Sequence, residues 1–250
     1  MILSVTPSNK CNKENRCIYC YLSQKSGEAP FNQLYQKMSE LIEIHNPSIV
    51  TFAYNSGFSL DLFGKLLERA HSQAEVSVTL QPDCIMSLES IIKNIDYIAL
   101  SLNTSNLNEI DIKAITDELR RKKNIKIGMN FLMDELPTLR DVMAFFRKYQ
   151  DCFEQFHFLL PKKYYIPYEL KDAITIIKVM KMMFPGKVFV DECLKTIITN
   201  TPCSRNGNLL SLNADSSVTM CSFADSDDKE ILVERCPYLL TNQDGKESDG

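Results

Sequence analysis

Six times along the chain a short run of β-branched and apolar residues gives way to a segment with apolar residues at helical spacing. This alternation restricts the fold more than any other feature. Strands are predicted at Met1–Thr6, Ser48–Ala53, Val76–Leu80, Tyr97–Leu102, Ile125–Phe131 and Phe156–Leu160. Helices are predicted at Phe31–His45, Leu60–Ala70, Leu88–Lys93, Asn108–Lys122, Leu139–Tyr149 and Leu170–Phe184. Leu34, Met38, Leu41 and Ile42 mark the buried stripe of the first helix, which Asn46 and Pro47 close, while Pro185 and Gly186 stop the last. The pattern gives an α/β fold with a parallel sheet and right-handed crossovers. Periodicity does not choose between a doubly wound sheet and a barrel.

At 250 residues the chain can bury a substantial core, enough for one domain and an appendage. A formal charge of −4 gives no general attraction to nucleic acid, and the basic run Arg120–Lys123 reads as a solvated helix end. No apolar run reaches the length of a membrane span, and no basic-then-apolar leader opens the sequence, so a cytoplasmic protein is expected. In that compartment its nine cysteines read as metal ligands and buried thiols rather than as disulfides.

Cys11, Cys17 and Cys20 stand at C-x5-C-x2-C in KCNKENRCIYCYL, directly after the first strand. Thiolates select zinc, copper(I) or iron–sulfur clusters, and three of them would bind three of the four irons of a cubane. A structural zinc site normally takes four protein ligands, and His45, His71 and His157 all lie far from this loop. Cys193, Cys203, Cys221 and Cys236 form a second group near the other end. Between two of them, LLSLNADSSVTM reads as a hairpin that would bring Cys203 and Cys221 near each other. These four thiolates suit an iron–sulfur cluster or zinc, though the paired C-x2-C knuckles of many zinc sites are absent. Cys84 and Cys152 read as small buried hydrophobes, Met180, Met182 and Met183 as core filler, and His157 as a satisfied core or edge histidine.

The CIYC loop resembles the cluster loop of the radical S-adenosylmethionine (SAM) superfamily, whose usual spacing C-x3-C-x2-C is here longer by two residues. The resemblance covers almost the whole chain. It implies a partial (β/α)6 TIM-like barrel over residues 1–186. A small extension over 187–250, with a β-hairpin and a frayed tail, is similar to the auxiliary-cluster segment of the SPASM and twitch subgroup. It also implies that Cys11, Cys17 and Cys20 hold a SAM-binding [4Fe–4S] cluster and that Cys193, Cys203, Cys221 and Cys236 hold one auxiliary [4Fe–4S] cluster. Tyr19 stands where the family places an aromatic residue against the adenine of SAM. Asn55, Ser56 and Gly57 of YNSGF occupy the place of the family's GGEP, whose acidic residue has no counterpart here. Ser101 and Asn103 in SLNT, and Asn130 in GMNFL, stand at strand ends where the ribose or carboxylate of SAM would be reached.

The implied activity is reductive cleavage of SAM to a 5′-deoxyadenosyl radical that abstracts a substrate hydrogen. The expected substrate is a ribosomally made peptide that is crosslinked, given a thioether or epimerised. The alternative within the family is a twitch-type dehydrogenase of a carbohydrate or cyclitol. The alternative from another class is a non-catalytic zinc or iron–sulfur module. Cys84, with Gln81 and Asp83 in QPDC after the third strand, is the one candidate hydrogen donor to a substrate radical. The implied partners are an electron donor such as flavodoxin or ferredoxin and, because the chain is short, a separate leader-peptide-binding protein. Neither nucleic acid nor membrane is expected.

Overall fold

The structure is a computed structural model that describes residues 1–10, 27–88, 90–104, 111–161, 168–199 and 208–221, the side chains of 86–87, 192–193 and 196–197 excepted. Its elements alternate as the sequence predicts: Ile2–Val5 (β1), Phe31–His45 (α1), Ile49–Ala53 (β2), Leu60–His71 (α2), Glu75–Leu80 (β3) and Tyr97–Asn103 (β4). Ile112–Lys122 (α3), Lys126–Leu132 (β5), Leu139–Tyr149 (α4), Gln155–Leu159 (β6) and Leu170–Met183 (α5) follow. Past the expected boundary at 186, Val188–Val190 (β7) adds a further strand, followed by Glu192–Thr199 (α6), Leu209–Leu212 (β8) and Val218–Thr219 (β9).

Strand order resolves what periodicity left open. The sheet runs β7-β6-β5-β4-β3-β2-β1-β8-β9, so β1 to β7 lie side by side in chain order. A doubly wound sheet must reverse direction somewhere, and this one does not until β8. Right-handed crossovers that always step the same way put every connecting helix on one face of the sheet, which is the winding of a barrel. All pairings from β7 to β8 are parallel, and the sheet stays open at β7 and β9. The expected hairpin forms as β8 and β9, antiparallel, with β8 lying parallel to β1 and extending the same sheet.

The two faces differ because strand residues alternate between them. Val76, Val78 and Leu80 of β3 are buried, as are Ile98, Leu100 and Leu102 of β4 and Phe156 and Phe158 of β6. These pack against the apolar stripes of the helices: Leu34, Met38, Leu41 and Ile42 of α1, Phe63, Leu66 and Leu67 of α2, and Ile177 and Met180 of α5. Phe146 of α4 sits 4.2 Å, centroid to centroid, from Phe156. The residues between them, Ser77, Thr79, Ser101, Asn130 and His157, point to the opposite face, helix-free among the described β1 to β7 connections, and are half-buried.

Two local expectations change. The helix read at Leu88–Lys93 is instead a pair of 3₁₀ helices, Pro82–Leu88 and Ile92–Asn94. The link between β3 and β4 is short, and it hugs α2: a Cβ on Gly64 would lie 2.9 Å from Ile91 Cγ2, so only glycine admits this approach. The basic run after Leu119 is also more than a solvated end. Arg120 donates to the carbonyls of Asp151 and Cys152, and Lys123 donates to those of Lys93 and Ile95, which ties the end of α3 to the neighbouring loops. The expected Asn108–Asp111 start of that helix falls partly outside the described residues; Asp111 caps it by accepting from Ala114 N–H at 3.1 Å.

Candidate functional site

Parallel strands share one end for all their carboxyl termini, and there the loops meet. The root of the cysteine loop is at that mouth. Ser8, which follows β1 and is 2% exposed, donates through its hydroxyl to the Glu28 carboxylate. Asn9 N–H and Lys10 N–H donate to the same carboxylate at 2.9 and 3.2 Å, and the Lys10 ammonium lies 3.0 Å from its other oxygen. Partial burial raises the Glu28 pKa, but the bonds from Ser8, Lys10 and Asn9 outweigh it and hold the carboxyl below its ordinary value. Ala29 N–H donates to the Ala214 carbonyl at 2.8 Å, so the chain leaving the loop is fastened to the β8–β9 turn.

Asn55 completes the root. Its Nδ2 donates to the Ser8 carbonyl at 3.0 Å, and its Oδ1 accepts from Gly57 N–H at 3.1 Å. Both ends of this amide therefore brace the β1 and β2 loops against each other. Ser56 is exposed at the same turn.

The helix-free face below the mouth is organised in rows by the strand register. Ser101, Asn130, His157 and Phe189 lie side by side across β4 to β7. One step toward the amino ends, Ala53, Thr79, Ala99, Gly128 and Gln155 form the next row. Ser211, Ser4, Thr51, Ser77 and Tyr97 form the floor. Small residues in the middle row leave space that larger ones cross. Asn130 Nδ2 reaches Thr79 Oγ1 at 3.4 Å past Ala99, and the Tyr97 ring lies over Gly128, where a Cβ would meet its hydroxyl at 1.6 Å.

This face is polar and carries few charges. Within the strands its only described Asp, Glu, Lys or Arg residues are Glu75 and Lys126 at the lower rim, paired at 3.7 Å. Burial, with a contribution from Glu154, pushes the Tyr97 hydroxyl up to about 12. Burial lowers the His157 pKa, so its ring is neutral near pH 7; Nε2 lies 3.2 Å from Gln155 Oε1 and the ring stacks on Phe189 at 5.3 Å. Gln81 Oε1, the Tyr97 hydroxyl and Ser211 Oγ are buried without a hydrogen-bond partner among the described residues. Each such atom costs about 1–3 kcal/mol unless something polar meets it. Three such atoms on one face suit water or a polar ligand meeting them there.

The structure brings Ser101, Asn103 and Asn130 to this face at the mouth, with Asn55, Ser56 and Gly57 beside them. Cys11, Cys17, Tyr19, Cys20, Cys203 and Cys236 lie outside the described residues, as does the side chain of Cys193 in α6. Cys221 is half-buried two residues past β9, its carbonyl accepting from the Thr219 hydroxyl at 2.9 Å. Cys84 is 7% exposed and belongs to the hydrophobic core. Cys152 is 8% exposed in the same core.

Sequence reasoning missed His157, Tyr97 and Thr79 as members of the open face. The signal was present: SVTLQ, YIALSLN and QFHFL place a polar or small residue at alternate positions, one face apart from the apolar ones. It missed Glu28 for a different reason, since nothing local marks a carboxylate whose partners lie 18 to 20 residues back.

The donor set fits a cluster. Three thiols on a loop rooted at the mouth can take three irons. Asn9 Oδ1, four residues past β1, and Gln81 Oε1, just past β3, are buried without a hydrogen-bond partner among the described residues and offer acceptors to a polar group there. No family model matches the sequence, and no curated protein does. Solved structures do match. SuiB of Streptococcus suis, a radical SAM enzyme solved with S-adenosylmethionine, superposes with a TM-score of 0.65 at 12% identity over 95% of this chain and 64% of its own. SuiB bound to its precursor peptide SuiA gives 0.65 and 12% over 95% and 65%. The radical SAM enzyme anSMEcpe, solved with S-adenosylmethionine and the Cp18Cys peptide, gives 0.59 and 18% over 95% and 81%. The chain thus spans about two-thirds of SuiB, and the fold is the partial barrel of these enzymes.

Proposed function

We propose that this protein, which shares the fold of radical SAM enzymes, is itself one and acts on a ribosomally made peptide. The observation that supports the reading is that the segment bearing Cys11, Cys17 and Cys20 leaves the described chain at Lys10 and rejoins it at Gly27, at the mouth of a singly wound parallel sheet whose described strand residues on the open face are polar and charge-poor. Cys11, Cys17 and Cys20 would hold the [4Fe–4S] cluster, and Cys193, Cys203, Cys221 and Cys236 an auxiliary one. With SAM bound and one electron delivered by a donor protein, the first cluster would supply the chemistry of reductive SAM cleavage and hydrogen abstraction.

The chain's own part is to position and to shield. Tyr19 would lie against adenine, while Ser101, Asn103 and Asn130 offer hydrogen bonds at the mouth. Backbone amides of the Asn55–Gly57 turn replace the missing acidic residue only in part, because the Asn55 side chain is already committed to Ser8 and Gly57. Below them, the rows headed by Ser101 and Thr79 receive the reacting part of the substrate. A charge-poor strand surface disfavours a phosphate or carboxylate there, since neither would find a cationic partner among the described strand residues on burial. It suits peptide groups, which bring amides and carbonyls. The peptide ligands of SuiB and anSMEcpe support the same preference.

Anaerobic reconstitution followed by reduction in the presence of SAM should yield 5′-deoxyadenosine, and Cys17→Ala should abolish it. Cleavage retained in that variant would refute the cluster assignment. Turnover of a neutral cyclitol, with every candidate precursor peptide inert, would keep the chemistry and replace the substrate. An electron donor such as flavodoxin or ferredoxin and a leader-binding partner belong to the same reading, and pull-down with the precursor peptide tests the latter.

A further inference from the structure

The cysteine loop enters through Ser8, Asn9 and Lys10 and leaves through Gly27 and Glu28, and one carboxylate holds the two ends together. Glu28 receives the Ser8 hydroxyl, Asn9 N–H at 2.9 Å and Lys10 N–H at 3.2 Å, and pairs with the Lys10 ammonium at 3.0 Å. Asn9 Nδ2 adds a bond to the Gly27 carbonyl at 3.1 Å, and Gly27 takes a φ of +95°, a conformation that favours glycine. The Lys10 side chain is 74% exposed, but Ser8 is buried and the Glu28 side chain is 25% exposed, so the carboxylate is held chiefly by the hydroxyl and amide donors. Ser8 is also held by Asn55, and Ala29 by the β8–β9 turn, so the clasp is fixed to the sheet on both sides.

We infer that Glu28 is a positioning residue that closes the root of the cysteine loop and fixes how the chain departs β1 toward Cys11. The inference rests on the radical SAM reading for what the loop carries, but the clasp itself is geometry. Three donors from one chain segment meeting one carboxylate of another leave little freedom in the direction of the peptide at Lys10. Hydrogen bonds to a charged acceptor are the stronger kind, and closing the loop here removes chain entropy that the cysteines would otherwise lose on binding iron.

The test compares wild-type protein with Glu28→Ala, Glu28→Gln and Ser8→Ala, all reconstituted anaerobically. Two readouts are taken: the rate at which trypsin cuts within the loop, after Lys13, Arg16 or Lys25, and the change that SAM induces in the electron paramagnetic resonance spectrum of the reduced cluster. Glu28→Ala should be cut at least about tenfold faster, since even one of the charged hydrogen bonds it removes is worth about that factor, and should lose or shift the SAM-induced change. Glu28→Gln, which still accepts from the Asn9 and Lys10 amides, should fall between it and wild type. Ser8→Ala removes one donor and should move the same way as Glu28→Ala if that variant fails to fold. Unchanged cutting and spectra would overturn the inference, and so would faster cutting with an unaltered response to SAM, which would leave Glu28 a purely structural brace. If wild-type protein assembles no iron–sulfur cluster, the radical reading falls and the positioning role falls with it. The tryptic rates would then still report whether the clasp exists.

Discussion

In β3, Val76, Val78 and Leu80 are buried against the helices, while Ser77 and Thr79, with Gln81 just past the strand, face the other side of the sheet. The same contrast repeats in β4, β5 and β6. One face gains stability by removing apolar area from water, at about 25 cal/mol per Å². The other gives some of it up, keeping hydroxyls, amides and an imidazole where leucine would pack better and leaving Gln81 Oε1, the Tyr97 hydroxyl and Ser211 Oγ without described partners. Alternate residues of one strand thus serve fold and site separately. Substitutions on the two faces should therefore differ in kind.

The largest effect is expected on the helix-covered face. Phe156 lies against Phe146 at 4.2 Å and Phe153 at 5.1 Å, and Phe156→Ala should cost about 3–5 kcal/mol, read as a fall in the urea midpoint. A cost below ~1 kcal/mol would mean that the helices are not packed as described. Next comes the tight contact between Tyr97 and Gly128 on the open face. Gly128→Ala should destabilise by about 1–3 kcal/mol because its Cβ would overlap the Tyr97 ring, and the loss should shrink in a Tyr97→Leu background. Additive effects of the two changes would break the link between these residues.

His157 gives a smaller, pH-dependent effect. Its folded pKa is lowered by burial, and its described neighbours Gln155 and Phe189 carry no charge. Below about pH 6.5 the unfolded chain takes up a proton that the folded ring resists. Stability should therefore fall as pH drops from about 6.5 through the folded value, by at most about 1.4 kcal/mol per pH unit. Denaturant titrations between pH 7.5 and 5 should lose this component in His157→Gln; an identical slope in both proteins would place the histidine in open solvent. Smallest of all, Asn130→Ala removes only a 3.4 Å bond to Thr79 and should change stability by less than ~1 kcal/mol. The same variant should reduce peptide modification, measured by mass spectrometry of the product. A large stability loss with normal modification would reverse the roles assigned to the two faces.

Much of this was legible in the sequence. Apolar spacing located α1, α2, α4 and α5 almost to the residue, and the hairpin around Asn-Ala-Asp-Ser-Ser was read from turn chemistry alone. Strand order was not legible, because periodicity is local while pairing between β8 and β1 joins residues about 200 positions apart. The link after β3 reads as a helix because Leu88, Ile91 and Ile92 have helical spacing, yet Leu88 and Ile92 belong to two separate 3₁₀ turns with Ile91 between them, and Ile91 meets Gly64 of α2. At the site, the strand-end residues Ser101, Asn103 and Asn130 were marked by their positions in SLNT and GMNFL. His157 reads from the sequence as a satisfied core or edge histidine, and the strict alternation of QFHFL sets it on the other face from Phe156 and Phe158.

The central claim is that the three cysteines rooted at the mouth build a reactive cluster above the polar face. Iron and acid-labile sulfide per chain, measured after anaerobic reconstitution, test it most directly when wild type is compared with the Cys11→Ala/Cys17→Ala/Cys20→Ala variant. Wild type should hold about eight of each and the variant about four, with 5′-deoxyadenosine formed only by wild type. Zinc without sulfide in the wild-type protein would contradict the account and leave a metal-stabilised binding module in its place.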